Sequence, residues 1–165
     1  RDNNTYRIVD VNDDTVMVDN LRYRHDNDSS SNWTCYQNKI ANCNNYGVLY
    51  TWTAAAGQPQ VYLDSYLDLS NVVNQGACPA GWHEPTYSET DWVFKEMNEK
   101  GLLPEDVFGR YVGNKYEEAP CWWSAPNNIT DAACFMNADW TNTNGKYDVI
   151  SKRSYAYLRC IKNRQ

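Results

Sequence analysis

The sequence predicts an α+β fold: an antiparallel sheet with two helices packed against it, long loops between the elements, and three disulfides. Three observations predict it. Short segments rich in Tyr, Ile, Val and Trp stand towards both ends of the chain, with helical patterns between them. The chain carries six cysteines, and an even number in an acidic, Tyr- and Asn-rich chain reads as a disulfide framework formed in an oxidising compartment. Its 165 residues suit one domain, 1–165, large enough to bury its own core.

The elements follow in order. Thr5 to Val11 (TYRIVDV) is β-rich, Asn12-Asp13-Asp14 is a turn, and Thr15 to Val18 is the returning strand of a hairpin. Arg24 to Asn32 is polar and turn-forming, an exposed loop. Cys35 and Cys43 bracket a second polar stretch. Val48-Leu49-Tyr50 leads into a short helix over 51–56, which Gly57 ends. Gly57 to Gly76 has no clean period, and a loop of that length is expected to be functional or held by something else. The clearest helix starts at about Glu89. Ser88-x-x-Asp91 matches a capping box, Val93 and Met97 share a face, and Gly101 stands where the helix stops. Beyond Pro104 come short aromatic segments: Trp122-Trp123, Cys134-Phe135-Met136, and Tyr155 to Ile161, which alternates like a strand.

Charge excludes two partner classes. The net charge is −6 and the pI about 4.8, with Lys and Arg scattered apart from Lys152-Arg153. A nucleic-acid surface needs a basic stripe, and an anionic membrane repels the same acidic surface. No run is long and apolar enough to span a membrane. The chain opens on Arg1 with no signal peptide or lipid-anchor signal, so the expected secretion signal is one removed or lying outside this sequence. Aromatic residues make up 14 %, with 13 Tyr and 7 Trp, and about twenty residues are Asn.

One string is specific: Cys78-Pro79-Ala80-Gly81-Trp82-His83-Glu84-Pro85. It resembles the C-P-x-G-W-H-x-P signature of the Fibrobacter succinogenes major paralogous domain family. Asp19-Asn20-Leu21-Arg22-Tyr23 resembles that family's E-N-L-x-Y. Trp33-Thr34-Cys35-Tyr36 with Ala41-Asn42-Cys43 resembles its W-C-Y…A-N-C. Tyr46 to Trp52, Trp122-Trp123-Ser124 and Arg159-Cys160-Ile161-Lys162 resemble its Y-G-x-L-Y-T-W, F-W-S-S and R-C-V-K. The likeness runs in order over nearly the whole chain. Departures are Glu84 in place of the family's Leu, two extra residues between Pro85 and the helix cap, a shortened stretch before Trp122, and Cys121 and Cys134 as additions.

The resemblance implies a bacterial cell-surface protein. Its R-C-hydrophobic-basic end and its W-H-x-P element before a capped helix also resemble formylglycine-generating enzymes and the C-type-lectin-like fold, a likeness of fold that does not settle function. The lectin-like likeness implies Cys78–Cys160, which ties the helix region to the last strand; Cys35–Cys43 and Cys121–Cys134, each closing a short local loop, are the other expected pairings.

Each candidate chemistry meets a plainer reading. The oxidase of the formylglycine-generating type needs a thiolate shortly before the terminal Arg-Cys, and Ser154-Tyr155-Ala156-Tyr157 stands there instead. A serine hydrolase needs a G-x-S-x-G elbow, which is lacking, and His83 reads as a hydrogen-bonded structural residue beneath the helix. Glu84, Glu89 and Asp91 cluster, but carboxylates are favoured at a helix start by the dipole. Asp10 to Asp14 opens like a calcium loop yet has Thr15 for the glycine and Leu21 for the bidentate acid, so a polar turn is expected and no metal. No lectin-type calcium and sugar triplet stands in place. We therefore expect no catalytic residue and no cofactor.

What remains is a surface role. The expected function is a non-catalytic extracellular protein, a self-assembling subunit of a bacterial surface layer or fibre whose partners are copies of itself. The alternative is a lectin-like adhesion module binding glycans or proteins, for which Trp33 and Trp140, placed in polar loops, are the surface aromatics. Thr15, in Asp14-Thr15-Val16, is the first choice for an attached sugar and Asn32 the second; four N-x-S/T sites are close to what this composition gives by chance. For assembly, the strand-like segment Asp2 to Val11 offers free main-chain groups, with Thr5, Tyr6, Ile8 and Val9 as contact residues and head-to-tail strand exchange as one mode, against the alternative that this strand pairs only within its own domain.

Overall fold

The computed structural model describes residues 3–24, 32–67, 69, 72–102, 110–117, 121–124, 132–136 and 146–164; at 91, 94, 95, 98, 110–112, 132–136 and 146–149 it describes the backbone alone. Strand β1 (Ile8–Val11) and β2 (Asp14–Met17) form the expected amino-terminal hairpin. Its turn is two residues, Asn12 and Asp13, with Asn12 in the left-handed region at φ 54°. Asp14, expected in the turn, instead begins β2. It is 3 % exposed, and its two carboxylate oxygens accept from Arg164 at 2.8 Å each.

Strand β3 (Trp33–Thr34) pairs with β4 (Leu49–Tyr50). Between them lies helix α1 (Ile40–Tyr46), inside the stretch expected to be merely polar. It raises the described helices to three where two were expected. Its sequence, IANCNNY, has no apolar period, and its N-cap Lys39 makes no side-chain capping bond. Cys43, its buried residue, is bonded to Cys35 with the Cα atoms 4.9 Å apart, so a staple and not propensity holds this turn of chain.

Helix α2 (Trp52–Ala56) matches the expected helix over 51–56. The Thr51 hydroxyl accepts from the Ala54 N–H at 3.4 Å, and Gly57 closes the helix at φ 64°. After a 3₁₀ turn (Gln60–Leu63) come β5 (Trp82–His83) and the long helix α3 (Tyr87–Glu99). The remaining strands are β6 (Arg110–Val112), β7 (Lys115–Glu117), β8 (Trp122–Trp123), β9 (Ala132–Met136), β10 (Lys146–Ile150) and β11 (Ile161–Lys162).

The cap of α3 differs from the expectation. The helix starts two residues earlier, and the box is Thr86-x-x-Glu89, not Ser88-x-x-Asp91. The Glu89 N–H donates to the Thr86 hydroxyl at 3.3 Å, and the Glu89 carboxylate accepts from the Thr86 N–H at 2.8 Å. Ser88 falls in the first turn, exposed, while the Asp91 side chain lies outside the described residues.

The largest sheet has the order β1-β2-β11-β5, every pair antiparallel. A second has the order β10-β9-β8, and β6 with β7 makes a hairpin. The segment 155–160 stitches these together. Ala156 and Tyr50 exchange main-chain bonds at 3.0 and 2.8 Å, the Trp123 N–H donates to the Tyr157 carbonyl at 2.9 Å, and Leu21 and Met17 donate to the carbonyls of Leu158 and Cys160 at 2.8 and 3.0 Å. The expected strand over Tyr155 to Ile161 is thus a run of isolated bridges that becomes a strand at Ile161.

The layer formed by these short strands is buried on both sides. Val16, Leu49, Trp122, Tyr157 and Ile161 join Val93 and Met97 of α3 in one core; their neighbours Met17, Tyr50, Trp123, Leu158 and Cys160 join Trp52 in the other. This two-sided burial is why those segments read as continuous apolar runs. Trp52, Trp122 and Trp123 are fully buried. Each such indole removes about 200 Å² from water, a gross gain of about 5 kcal/mol before entropy is counted.

The segment after α2 is held from the far end of the chain. Lys152 is 0 % exposed; its Nζ donates to the Tyr62 and Ser65 carbonyls at 3.1 and 2.8 Å and lies 4.6 Å from the centre of the Trp52 ring. Arg153 beside it is exposed and ion-paired with Asp64. The segment returns at Gly76, φ 53°, where a Cβ would meet the Ala55 carbonyl oxygen at 2.1 Å. The second disulfide, Cys78–Cys160, joins this return to the last strand with Cα atoms 5.9 Å apart. The fold is therefore α+β with antiparallel sheets, and the two disulfides described match two of the three expected pairings.

Candidate functional site

The amino-terminal hairpin edge stands out. β1 is the outermost strand of its sheet, paired with β2 alone among the described strands. The register fixes which main-chain groups are spent. The Val18 N–H donates to the Arg7 carbonyl at 2.9 Å, so in this register the Arg7 carbonyl and the N–H and C=O of Val9 and Val11 turn towards β2. Ile8 and Asp10 turn theirs outward. The Ile8 side chain is 56 % exposed on the opposite face from Val9.

The four expected assembly residues separate accordingly. Thr5 and Ile8 are exposed. Tyr6 turns inward: its hydroxyl accepts from the Arg22 N–H at 3.1 Å, and the Arg22 guanidinium lies 5.2 Å from its ring centre. Val9 packs against the core beneath α3. Arg22 also binds the Thr5 carbonyl, and Arg7 is clamped by Asp19, whose carboxylate accepts the Arg7 N–H at 2.8 Å and its guanidinium at 2.7 and 2.9 Å. The segment is thus fastened within its own sheet. Filling a neighbour's pockets with Tyr6, as strand exchange requires, would break these bonds.

The expected sugar positions are placed as follows. Thr15 is half-buried on β2 and its hydroxyl donates to Asp10 Oδ1 across the hairpin at 2.8 Å. Asn32 is half-buried; its Oδ1 accepts from Gln60 Nε2 at 2.8 Å. Trp33, expected on the surface, lies in β3 and packs against the core around Trp52. Trp140 lies outside the described residues.

A titratable cluster sits at the other end of the sheet. His83 is 4 % exposed, with Nδ1 2.7 Å from Asn163 Oδ1 and Nε2 3.2 Å from both Glu89 oxygens. Burial works to lower the imidazole, but the bonds to Glu89 and Asn163 and the charges of Glu89 and Asp14 outweigh it and raise its pKa. Burial likewise works to raise Glu89, and its bonds from His83 and Thr86 together hold it down at about 2. Both ring nitrogens face these partners, so the ring is held between Glu89 and Asn163 under the helix.

Glu84 is the feature sequence reasoning missed. It is 1 % exposed, and its Oε1 has no hydrogen-bond partner. Its Oε2 is 3.4 Å from Asn74 Nδ2, which binds the Ala56 carbonyl more closely at 2.6 Å. Burial pushes the Glu84 carboxyl up to about 8, opposed only in part by Asn74 and His83, so it is mostly protonated at neutral pH. Asn74 also lines a pocket of about 400 Å³ with Ala56, Gly57, Gln75, Gly76, Pro79 and Ala80. Its position in the C-P-x-G-W-H-x-P string, where the related pattern carries Leu, was the available signal. Lys152 offered none, since nothing local separates it from exposed Arg153.

Among the described residues, no group of three or more His, Cys, Asp or Glu is placed to hold a metal ion, and no helix is long and apolar enough to cross a membrane. No protein-family model, no curated protein and no solved structure matches the chain.

Proposed function

We propose that this chain is a non-catalytic extracellular surface protein that associates with copies of itself through the open edge of β1, as a subunit of a bacterial surface layer or fibre. The observation that carries this reading is the outward main-chain row at Ile8 and Asp10 with a large exposed apolar side chain on it. An edge without a partner among the described strands is a template for another strand. Two disulfides fit an oxidising environment, and the His83–Glu89 pair offers catalysis no free base. Membership of the Fibrobacter succinogenes major paralogous domain family and a C-type-lectin-like arrangement belong to the same reading.

The third disulfide belongs to it as well. The β8–β9 register sets Cys134 opposite Trp123, so the proposed Cys121–Cys134 bond would join diagonal neighbours on adjacent strands. Non-reducing peptide mapping that joins Cys121 to any other cysteine removes that pairing. An intact mass equal to the bare chain less the disulfide protons removes Thr15 and Asn32 as glycosylated positions in that sample.

The function is tested by sedimentation velocity across a wide concentration range, on the native chain and on Ile8→Pro. The Ile8 N–H points away from β2, so proline there removes an outward donor and leaves the β1–β2 ladder intact. Concentration-dependent association, lost in Ile8→Pro, is the expected result. A native chain that stays monomeric at high concentration overturns the reading.

A further inference from the structure

We propose that the second copy adds to β1 antiparallel, about a two-fold axis beside Ile8, so that two four-stranded sheets become one continuous sheet and the contact closes on itself. This rests on the self-association proposed above and specifies its partner surface and symmetry. Three features on the edge lead to it.

First, bonding phase limits the registers. Only outward-turned residues can exchange bonds across the new seam, and these include Ile8 and Asp10. A register that sets Ile8 against residue 9 of the other copy meets groups already spent on β2. The candidates are therefore Ile8 on Ile8, Ile8 on Asp10, and Asp10 on Asp10.

Second, side chains choose among them. Ile8 and Asp10 lie on one face of the hairpin, as two residues of like parity in a strand must. Asp10 on Asp10 brings like charges directly opposite, which destabilises a strand pair. Ile8 on Asp10 sets an apolar side chain against a carboxylate, twice. Ile8 on Ile8 buries the exposed apolar side chain of each copy against its equal. It also puts Asp10 opposite Tyr6, with no like charges facing.

Third, the inner face already fits. Val9 and Val11 are committed to the core beneath α3, so the hairpin presents its edge without unfolding. Strand exchange would forfeit that packing; edge addition does not. A two-fold contact uses the same patch on both partners and makes a closed pair, where a head-to-tail contact propagates. A layer or fibre would then grow from pairs by way of another surface.

The test joins hydrodynamics with NMR on the whole chain. Sedimentation should show a monomer–dimer equilibrium with no larger species from this contact, and Ile8→Pro should raise its dissociation constant by about tenfold or more. An equal mixture of isotope-labelled and unlabelled native chain should give an intermolecular NOE between the α-protons of Arg7 and Val9, which face each other in the non-hydrogen-bonded pair beside Ile8. An NOE between Val9 and Val9 places Ile8 on Asp10 and overturns the register. Open-ended polymers that Ile8→Pro abolishes overturn the two-fold arrangement while leaving self-association standing. A native chain monomeric throughout overturns both.

Discussion

The Thr86 hydroxyl accepts the Glu89 N–H at 3.3 Å while the Glu89 carboxylate accepts the Thr86 N–H at 2.8 Å, a reciprocal cap at the start of α3. The same carboxylate faces His83 Nε2, so the cap and the β5–α3 junction share one side chain. Thr86→Ala should cost about 1 kcal/mol, and Ser88→Ala about half that or less, because the exposed Ser88 does not cap the helix. Urea unfolding of both variants checks the order. Equal losses would return the cap to Ser88.

The two described disulfides close loops of very different size. Their sequence separations are 82 residues for Cys78–Cys160 and 8 for Cys35–Cys43. By the loop-entropy estimate the first stabilises by about 4.5 kcal/mol and the second by about 2.5 kcal/mol. Replacing Cys78 and Cys160 together by Ser should therefore lower the unfolding midpoint further than replacing Cys35 and Cys43. The shorter bond has a local signature of its own: the N-cap of α1 makes no side-chain bond and Ile40 on the helix is exposed, so loss of the disulfide should appear as lower helical signal in circular dichroism. A Cys35–Cys43 double variant that keeps full helicity would show that α1 stands without its staple.

What was legible in the sequence was what local chemistry determines. The Asn12-Asp13 turn, the Thr51–Gly57 bounds of α2 and the Val93/Met97 face of α3 all rest on neighbours in sequence. The Thr86 cap was missed because two boxes overlap there, although Thr86-x-x-Glu89 is the fuller match, with Glu where Ser88-x-x-Asp91 has Asp. Helix α1 was missed because a disulfide overrides its propensity. At the candidate edge, the strand itself was readable, but the inward turn of Tyr6 was not. Arg22, sixteen residues on, decides that. Glu84 carried a local signal in its Leu-like place in the motif, whereas Lys152 lay beyond local reading, because Trp52, Tyr62 and Ser65 around it are distant in sequence.

Lys152 is the anchor of the segment after α2. Lys152→Met keeps an unbranched side chain of similar length and removes the ammonium from the Trp52 ring and from the Tyr62 and Ser65 carbonyls. Carbonyls left without a donor in a partly buried place cost about 1–3 kcal/mol between them. Limited proteolysis should then cut first between residues 57 and 76. Arg153→Met, which breaks an exposed ion pair with Asp64, should change stability by less than about 1 kcal/mol. If the two variants are cut at the same rate, the buried lysine holds nothing that the exposed arginine does not.

Glu84 makes stability fall as pH rises across the neutral range. Its carboxyl stands at about 8 in the folded chain against an ordinary 4.5. Between those values the folded state keeps a proton that the unfolded chain releases. The contribution is fully present below pH 4.5 and lost as pH approaches 8, a change on the order of a few kcal/mol. His83 acts in the same direction: its pKa is raised from 6.5, so its stabilisation is present below that value and lost as pH rises through the folded one. Glu89 acts on the acid side, where its stabilisation is lost as pH falls from 4.5 towards 2. From these three groups, stability should be greatest near about pH 5. Glu84→Gln removes the first contribution while keeping the side chain's size. Urea midpoints at pH 5, 6, 7 and 8 should slope downward in the native chain and much less in the variant, with the gap widest at pH 8. Identical slopes would mean that Glu84 ionises in the folded chain as readily as in the unfolded one.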